Sequence, residues 1–231
     1  MIMVRKSEDR GYAHHGWLES YHTFSFASYH DKNFMGFRNL RVINEDFVEP
    51  GQGFGTHPHN DMEILTYIIS GDLAHKDSMG NGRIIKAGEV QGMSAGTGIT
   101  HSEFNASDKT RVHLLQIWIT PHTKGVTPAY SEWLPNGSER KGWALAASGD
   151  KNDKAIHIYQ DAKLYVAECT EAKTLPISLA DGRFGWVQVA KGSAEVKGYH
   201  LLAGDGVAFE GSDVAEIKAG KNSSLLWFDL P

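Results

Sequence analysis

Turn-forming residues cut this chain into short pieces. Twenty-five of its 231 residues are glycine, and clusters of Gly, Asn and Asp bound brief apolar or β-branched runs at 40–43, 64–69, 112–119, 164–168, 186–190 and 225–228. Runs of this length and content read as strands, and stretches with helical period are few. Ser70-Gly71-Asp72 after an apolar run, then Asp77-Ser78-Met79-Gly80-Asn81-Gly82 before Arg83-Ile84-Ile85, read as turns of a hairpin meander. The expected fold is all-β, of barrel or sandwich type.

A chain of this length holds either one large β domain or two units of about 100 residues. A degenerate internal repeat favours two. Tyr67-Ile68-Ile69-Ser70-Gly71 is echoed by Val187-Gln188-Val189-Ala190-Lys191-Gly192, and Ala87-Gly88-Glu89-Val90 by Ala203-Gly204-Asp205-Gly206-Val207. The segment 120–131, with Pro121, Gly125 and Pro128, reads as the linker, which divides the chain into residues 1–130 and 131–231.

Net charge is −5, from 23 Lys and Arg against 28 Asp and Glu, and basic residues never run beyond a pair. No basic face suited to phosphate neutralisation follows, so nucleic acid is not an expected partner. The single cysteine, Cys169, has no internal disulfide partner, and the first residues lack a signal-peptide core, which leads to the expectation of a cytoplasmic protein. The apolar runs are far below the roughly 20 residues of a membrane-spanning helix, so no membrane association is expected.

Chemistry concentrates in two pairs, His57-Pro58-His59 and His101-Ser102-Glu103. In a strand, residues i and i+2 share a face, so each pair can aim two donors at one point inside a barrel. Three imidazoles and a carboxylate make an N3O set for one divalent transition metal. Iron stands first, with Ni, Co, Cu, Mn and Zn as alternatives, and an octahedral ion would keep two positions for exchangeable ligands. By the gap-free repeat, the positions matching His57, His59, His101 and Glu103 are Ser178, Ala180, Ile217 and Ala219, so the second unit is expected to be metal-free.

Glu63 competes with Glu103. It lies four residues past His59, so strand parity also turns it inward unless Asn60-Asp61 forms a bulge. Spacing favours Glu103 as ligand and leaves Glu63 as a partner of a bound imidazole, an occasional ligand or the general base. Of the other histidines, His14, His15, His22 and His30 fall in or beside an aromatic-rich stretch, 17–37, expected to form a cover, and His75 reads as a hairpin tip. Met35, Phe37, Met79 and Met93 are candidate pocket walls. On 111–119, either alternating face can be the inner one.

These residues resemble a known family. Gly51-x5-His57-x-His59-x3-Glu63-x7-Gly71 is similar to the first cupin motif with one extra residue, and 88–105, with His101-x3-Asn105, to the second, although Ser94-Ala95-Gly96-Thr97-Gly98 replaces its Pro-x-Gly core. His22-Thr23-Phe24-Ser25-Phe26-Ala27, Arg41-Val42-Ile43-Asn44-Glu45-Asp46, the segment 57–63 and the segment 93–103 together resemble the pirin family, in particular its bacterial quercetinase-like members.

The resemblance implies a bicupin, two jelly-roll-like β-barrels, with one metal in the N-terminal barrel held by His57, His59, His101 and Glu103. It also implies a metal-dependent flavonol (quercetin) 2,3-dioxygenase that opens the substrate's central ring with dioxygen and releases carbon monoxide. Glu103 or Glu63 would take the substrate's hydroxyl proton, and an enediol-like compound is an alternative substrate. The family's animal protein is associated with transcriptional co-regulation and iron-based redox sensing. A metal-containing regulatory module with a protein partner is therefore the competing expectation.

Overall fold

The structure, a computed structural model, describes residues 2–211 and 214–231, and they are almost entirely strand. All six expected runs lie within observed strands: Leu40–Val48, Glu63–Ser70, Val112–Ile119, Lys163–Cys169, Phe184–Lys191 and Ser223–Leu230. Two cupin barrels result, each made of a seven-stranded and a four-stranded sheet.

The first barrel's large sheet runs, in spatial order, Ala129–Trp133, Val90–Ser94, Glu63–Ser70, Val112–Ile119, Leu40–Val48, Leu18–His22 and Gly11–His14. Its small sheet runs Gly53–His59, Ile99–Asn105, Asp72–Asp77 and Gly82–Lys86. The second barrel repeats this plan with Ile2–Arg5, Gly206–Glu210, Phe184–Lys191, Ser223–Leu230, Lys163–Cys169, Ala144–Ser148 and Ile156–His157 in the large sheet. Lys173–Pro176, Glu216–Ala219, Ser193–Val196 and Tyr199–Leu202 form its small one. The repeat glycines sit at matching turns, Gly71 and Gly192 at φ 80° and 76°, Gly88 and Gly204 at 85° and 88°. A side chain at Gly71 would strike the backbone of Val112, and one at Gly192 the backbone and hydroxyl of Ser223, so turn and neighbouring strand both require glycine there.

The outer strands of the two large sheets come from unexpected places. Residues 2–5 pair with Gly206–Glu210 of the second barrel, Ile2 opposite Phe209 and Arg5 opposite Gly206. The segment read as a linker ends in Ala129–Trp133, which pairs with Val90–Ser94 of the first barrel, so residue 130 lies inside a strand. Arg5 also reaches back to the first barrel. Its guanidinium donates to the carbonyl of Thr23 and the hydroxyl of Tyr29 and lies 3.9 Å over the Phe34 ring.

The two large sheets pack face to face, and their facing side chains form one apolar core: Leu65, Tyr67, Leu115, Ile117 and Ile119 from the first, Leu164, Val166, Trp186, Leu226 and Phe228 from the second. This fixes the question left open for Val112–Ile119. Leu115, Ile117 and Ile119 face the other barrel, whereas Val112 and Leu114 join the first barrel's interior and Gln116 and Trp118 line its cavity. No helix of the described residues is long and apolar enough to cross a membrane.

Candidate metal centre

His57 and His59 leave the strand Gly53–His59 on the same side, and His101 and Glu103 do so from the adjacent Ile99–Asn105. Register places His101 directly opposite His57, and then shifts so that Glu103 faces Phe54. The extra residue lies on the histidine strand, a bulge of the kind that re-aims side chains beside functional sites. It brings the carbonyl of Gly55 to 2.8 Å from Nδ1 of His57. A carbonyl only accepts, so Nδ1 carries the proton and Nε2 keeps its lone pair.

Nitrogens of His57, His59 and His101 lie within 4.8 Å of one another. Both ring nitrogens of His101 are buried with no hydrogen-bond partner, an arrangement that is costly unless something coordinates there. Burial, reinforced by the neighbouring imidazoles, pulls His101 down to about 3 and His59 to about 4. Both rings are neutral with free lone pairs at physiological pH, as metal ligands must be. The residues present therefore fit a divalent metal ion.

Glu103 stands slightly apart. Its carboxylate groups with His101 and His75, again within 4.8 Å, while Gln116 Nε2 donates to it at 2.9 Å and Thr66 Oγ1 at 3.3 Å. Complete burial raises its pKa to about 7, with the two hydrogen bonds opposing and nearby Asp46 adding to the shift. It lines the same cavity as His57 and His59 and can supply an oxygen donor or hold a proton.

Three expectations fail. Glu63 does not join this group: it lies on the inter-barrel side of its strand, where Ser94 Oγ donates to it at 2.6 Å and the Tyr159 backbone N–H also bonds it. Thr66, three residues on, faces Glu103, and odd separation in a strand means opposite faces. The reversal is made at Asp61, left-handed at φ 46°, in the turn between the strands. Glu63 is thus neither ligand nor base for this centre. His75 is not an exposed hairpin tip but 2% exposed, stacked on Tyr130 and beside His101, with Asp77 3.4 Å from its Nε2. Its i+2 spacing to Asp77 was the available signal.

The proposed pocket walls are also elsewhere. Met35 and Met79 are exposed, Phe37 belongs to the inter-barrel core, and Met93 packs with Ile64 and Ile99. A cavity of about 420 Å³ opens beside the histidines instead, walled by Leu18, Phe26, Phe54 and Trp118. Polar side chains from the large sheet, Ser20, His22, Asn44, Asp46 and Gln116, also line it. The aromatic-rich stretch contributes Phe26, Ala27 and Ser28 as a cover, as expected of it, and Phe26 meets Trp118 edge-to-face at 5.4 Å.

Two cupin barrels in one chain, with three converging imidazoles of which His57 and His59 line a cavity, define a bicupin whose first barrel holds, among the described residues, two candidate metal-binding groups that share His101. The family model described as Pirin matches residues 3–119, and that of the Quercetinase C-terminal cupin domain matches residues 145–230. The chain belongs to the pirin family.

It is 48% identical over 231 residues to the quercetin 2,3-dioxygenase of Escherichia coli (strain K12), covering 100% of this chain and 99% of that one. It is 40% identical over 231 residues to the pirin-like protein of Caulobacter vibrioides, covering 99% of each. The crystal structure of the bacterial pirin YhhW from Escherichia coli in complex with nickel(II) is similar with a TM-score of 0.93 at 48% identity, covering 100% of this chain and 99% of that one.

Proposed function

We propose that this protein is a metal-dependent flavonol 2,3-dioxygenase acting through the first barrel. The observation that carries this reading is the histidine cluster, with the nitrogens of His101 buried and unpartnered, opening on a cavity sized and walled for a flat aromatic molecule. The name of the Escherichia coli relative supports the same activity.

His57, His59, His101 and Glu103 would hold one divalent ion, iron in our assignment, with nickel the alternative that the Escherichia coli complex suggests. When bound, the metal supplies Lewis acidity to the substrate's acidic hydroxyl. Glu103 accepts the proton from that hydroxyl. Gln116 and Thr66 hold its carboxylate by hydrogen bonds at the cavity wall, facing the space where that hydroxyl would lie. Phe26, Phe54 and Trp118 orient the ring system and exclude water from the electron-rich anion. Both atoms of dioxygen enter the product as the central ring opens, and one ring carbon leaves as carbon monoxide.

A regulatory module would need no substrate space, yet here a cavity reaches the histidines. Oxygen-dependent loss of flavonol absorbance by the reconstituted protein, with carbon monoxide detected, is the expected result. Absence of turnover with Fe, Ni, Co, Mn and Cu overturns the proposal.

A further inference from the structure

One row of side chains crosses the floor of the first barrel in direct cross-strand register: His22, Asn44, Gln116, Thr66 and Gln91. The next row brings Ser20 opposite Asp46. All but Gln116 among these are buried. Their equivalents in the second barrel follow from the matched glycine turns and the same pairings. Asn44, Gln116, Thr66 and Gln91 correspond to Tyr165, Trp227, Val187 and Val207, and Asp46 corresponds to Ala167. Those residues pack together in an apolar interior. The fold thus forms with aliphatic or aromatic side chains at these positions, and burying amides, a hydroxyl and a carboxylate in the first barrel carries a desolvation cost that points to another role.

Thr66 and Gln116 act on Glu103. Ser20, His22, Asn44 and Asp46 make no hydrogen bond to it, Asp46 acting on it only through its charge, and all four line the cavity. Ser20 donates its hydroxyl to Oδ1 of Asp46, and among the described residues nothing bonds Oδ2. His22 Nδ1 lies 2.9 Å from the side-chain oxygen of Asn44, so Nδ1 carries the proton and Nε2 is left as an acceptor. Its ring stands beside Phe26 and Tyr29 of the aromatic cover. Two acceptors without hydrogen-bond partners among the described residues, on buried side chains that line the cavity beside aromatic walls, suit the hydroxyls of an aromatic ring.

We propose that Asp46 and His22, held by Ser20 and Asn44, are specificity-determining residues that bind hydroxyl groups on the substrate's pendant ring. This rests on the flavonol reading above, and its test is separable from that reading because it measures binding without turnover. Dissociation constants are measured anaerobically on metal-loaded protein with three probes. These are a flavonol with two adjacent pendant-ring hydroxyls, the same flavonol without them, and a flavone that keeps the pendant hydroxyls but lacks the 3-hydroxyl.

Asp46→Ala, which installs the residue of the sister barrel, is expected to weaken the first and third probes about tenfold and to leave the second within about twofold. Asp46→Asn, which keeps an acceptor oxygen, is expected to fall between Ala and wild type. Metal content and melting temperature report whether the site and fold survive. Equal weakening of all three probes, an unchanged third probe, or failure of the wild type to bind the third probe overturns the proposal. Tight, Asp46-dependent binding without any turnover would instead uphold this site and overturn the dioxygenase reading.

Discussion

The two barrels share strand order and glycine turns but have opposite interiors. In the second, one continuous cluster fills the space between its sheets, including Leu175, Val187, Val196, Val207, Phe209, Ile217 and Trp227. In the first, the apolar residues are split between a group around Ile68, Leu73, Ile85 and Leu114 and another around Ile64, Met93 and Ile99. The row from His22 to Gln91 and the histidine cluster belong to neither group. The same framework therefore tolerates either an oily filling or a polar, ligand-ready one. What distinguishes them is a few substitutions at register-matched positions: Ile217 for Glu103, Val196 for His75, Val187 for Thr66.

The sharpest way to break the comparison is His101→Ala. Metal content and flavonol turnover are both expected to fall at least about 100-fold while the melting temperature of the metal-free protein changes little, because His101 has no hydrogen-bond partner to lose. Its counterpart test is Ile217→Ala in the second barrel. There a buried side chain leaves a cavity, and denaturant unfolding should show a loss of about 2–5 kcal/mol, with metal stoichiometry retained.

Between the barrels, Glu63 provides a pH test. Burial raises it to about 7 from an ordinary 4.5, so the folded state holds its proton more tightly than the unfolded chain does. The associated stability is complete below about pH 4.5 and is lost as pH rises towards 7, amounting to at most ~3 kcal/mol. Urea midpoints of metal-free protein should therefore decline over that window, and Glu63→Gln should reduce the decline. A slope unchanged in the variant would refute the assignment. The smallest effect expected is for Val187→Thr, which places the first barrel's hydroxyl in the second barrel's oily row. A cost of about 1–3 kcal/mol without change in turnover is expected, measured by thermal unfolding and flavonol assay.

Much of this was legible in the sequence. Alternating short runs and glycine turns locate the strands, and i, i+2 spacing brings His57, His59 and His101 together, because both signals are local. What failed was non-local. Parity could not assign Glu63, since one left-handed residue, Asp61, resets which face is inward. The gap-free offset matched Ile217 to His101, whereas pairing of Ala194 with Ala219 carries Ile217 to the position of Glu103. The cavity walls were missed because they come from strands far apart in sequence, and the barrel boundary because segments at 2–5 and 129–133 serve as outer strands.

The N-terminal strand has a consequence for how the molecule can be taken apart. Its backbone is stitched into the second barrel while Arg5 holds the carbonyl of Thr23 and the hydroxyl of Tyr29, flanking the loop that covers the first barrel's cavity. The two halves are thus not interchangeable modules. A joint cut at the midpoint would keep Arg5 with Thr23 and Tyr29 but pair the strand Ile2–Arg5 with the other parent's Gly206–Glu210, whereas moving residues 2–5 with the distal half would keep that pairing and part Arg5 from the roof.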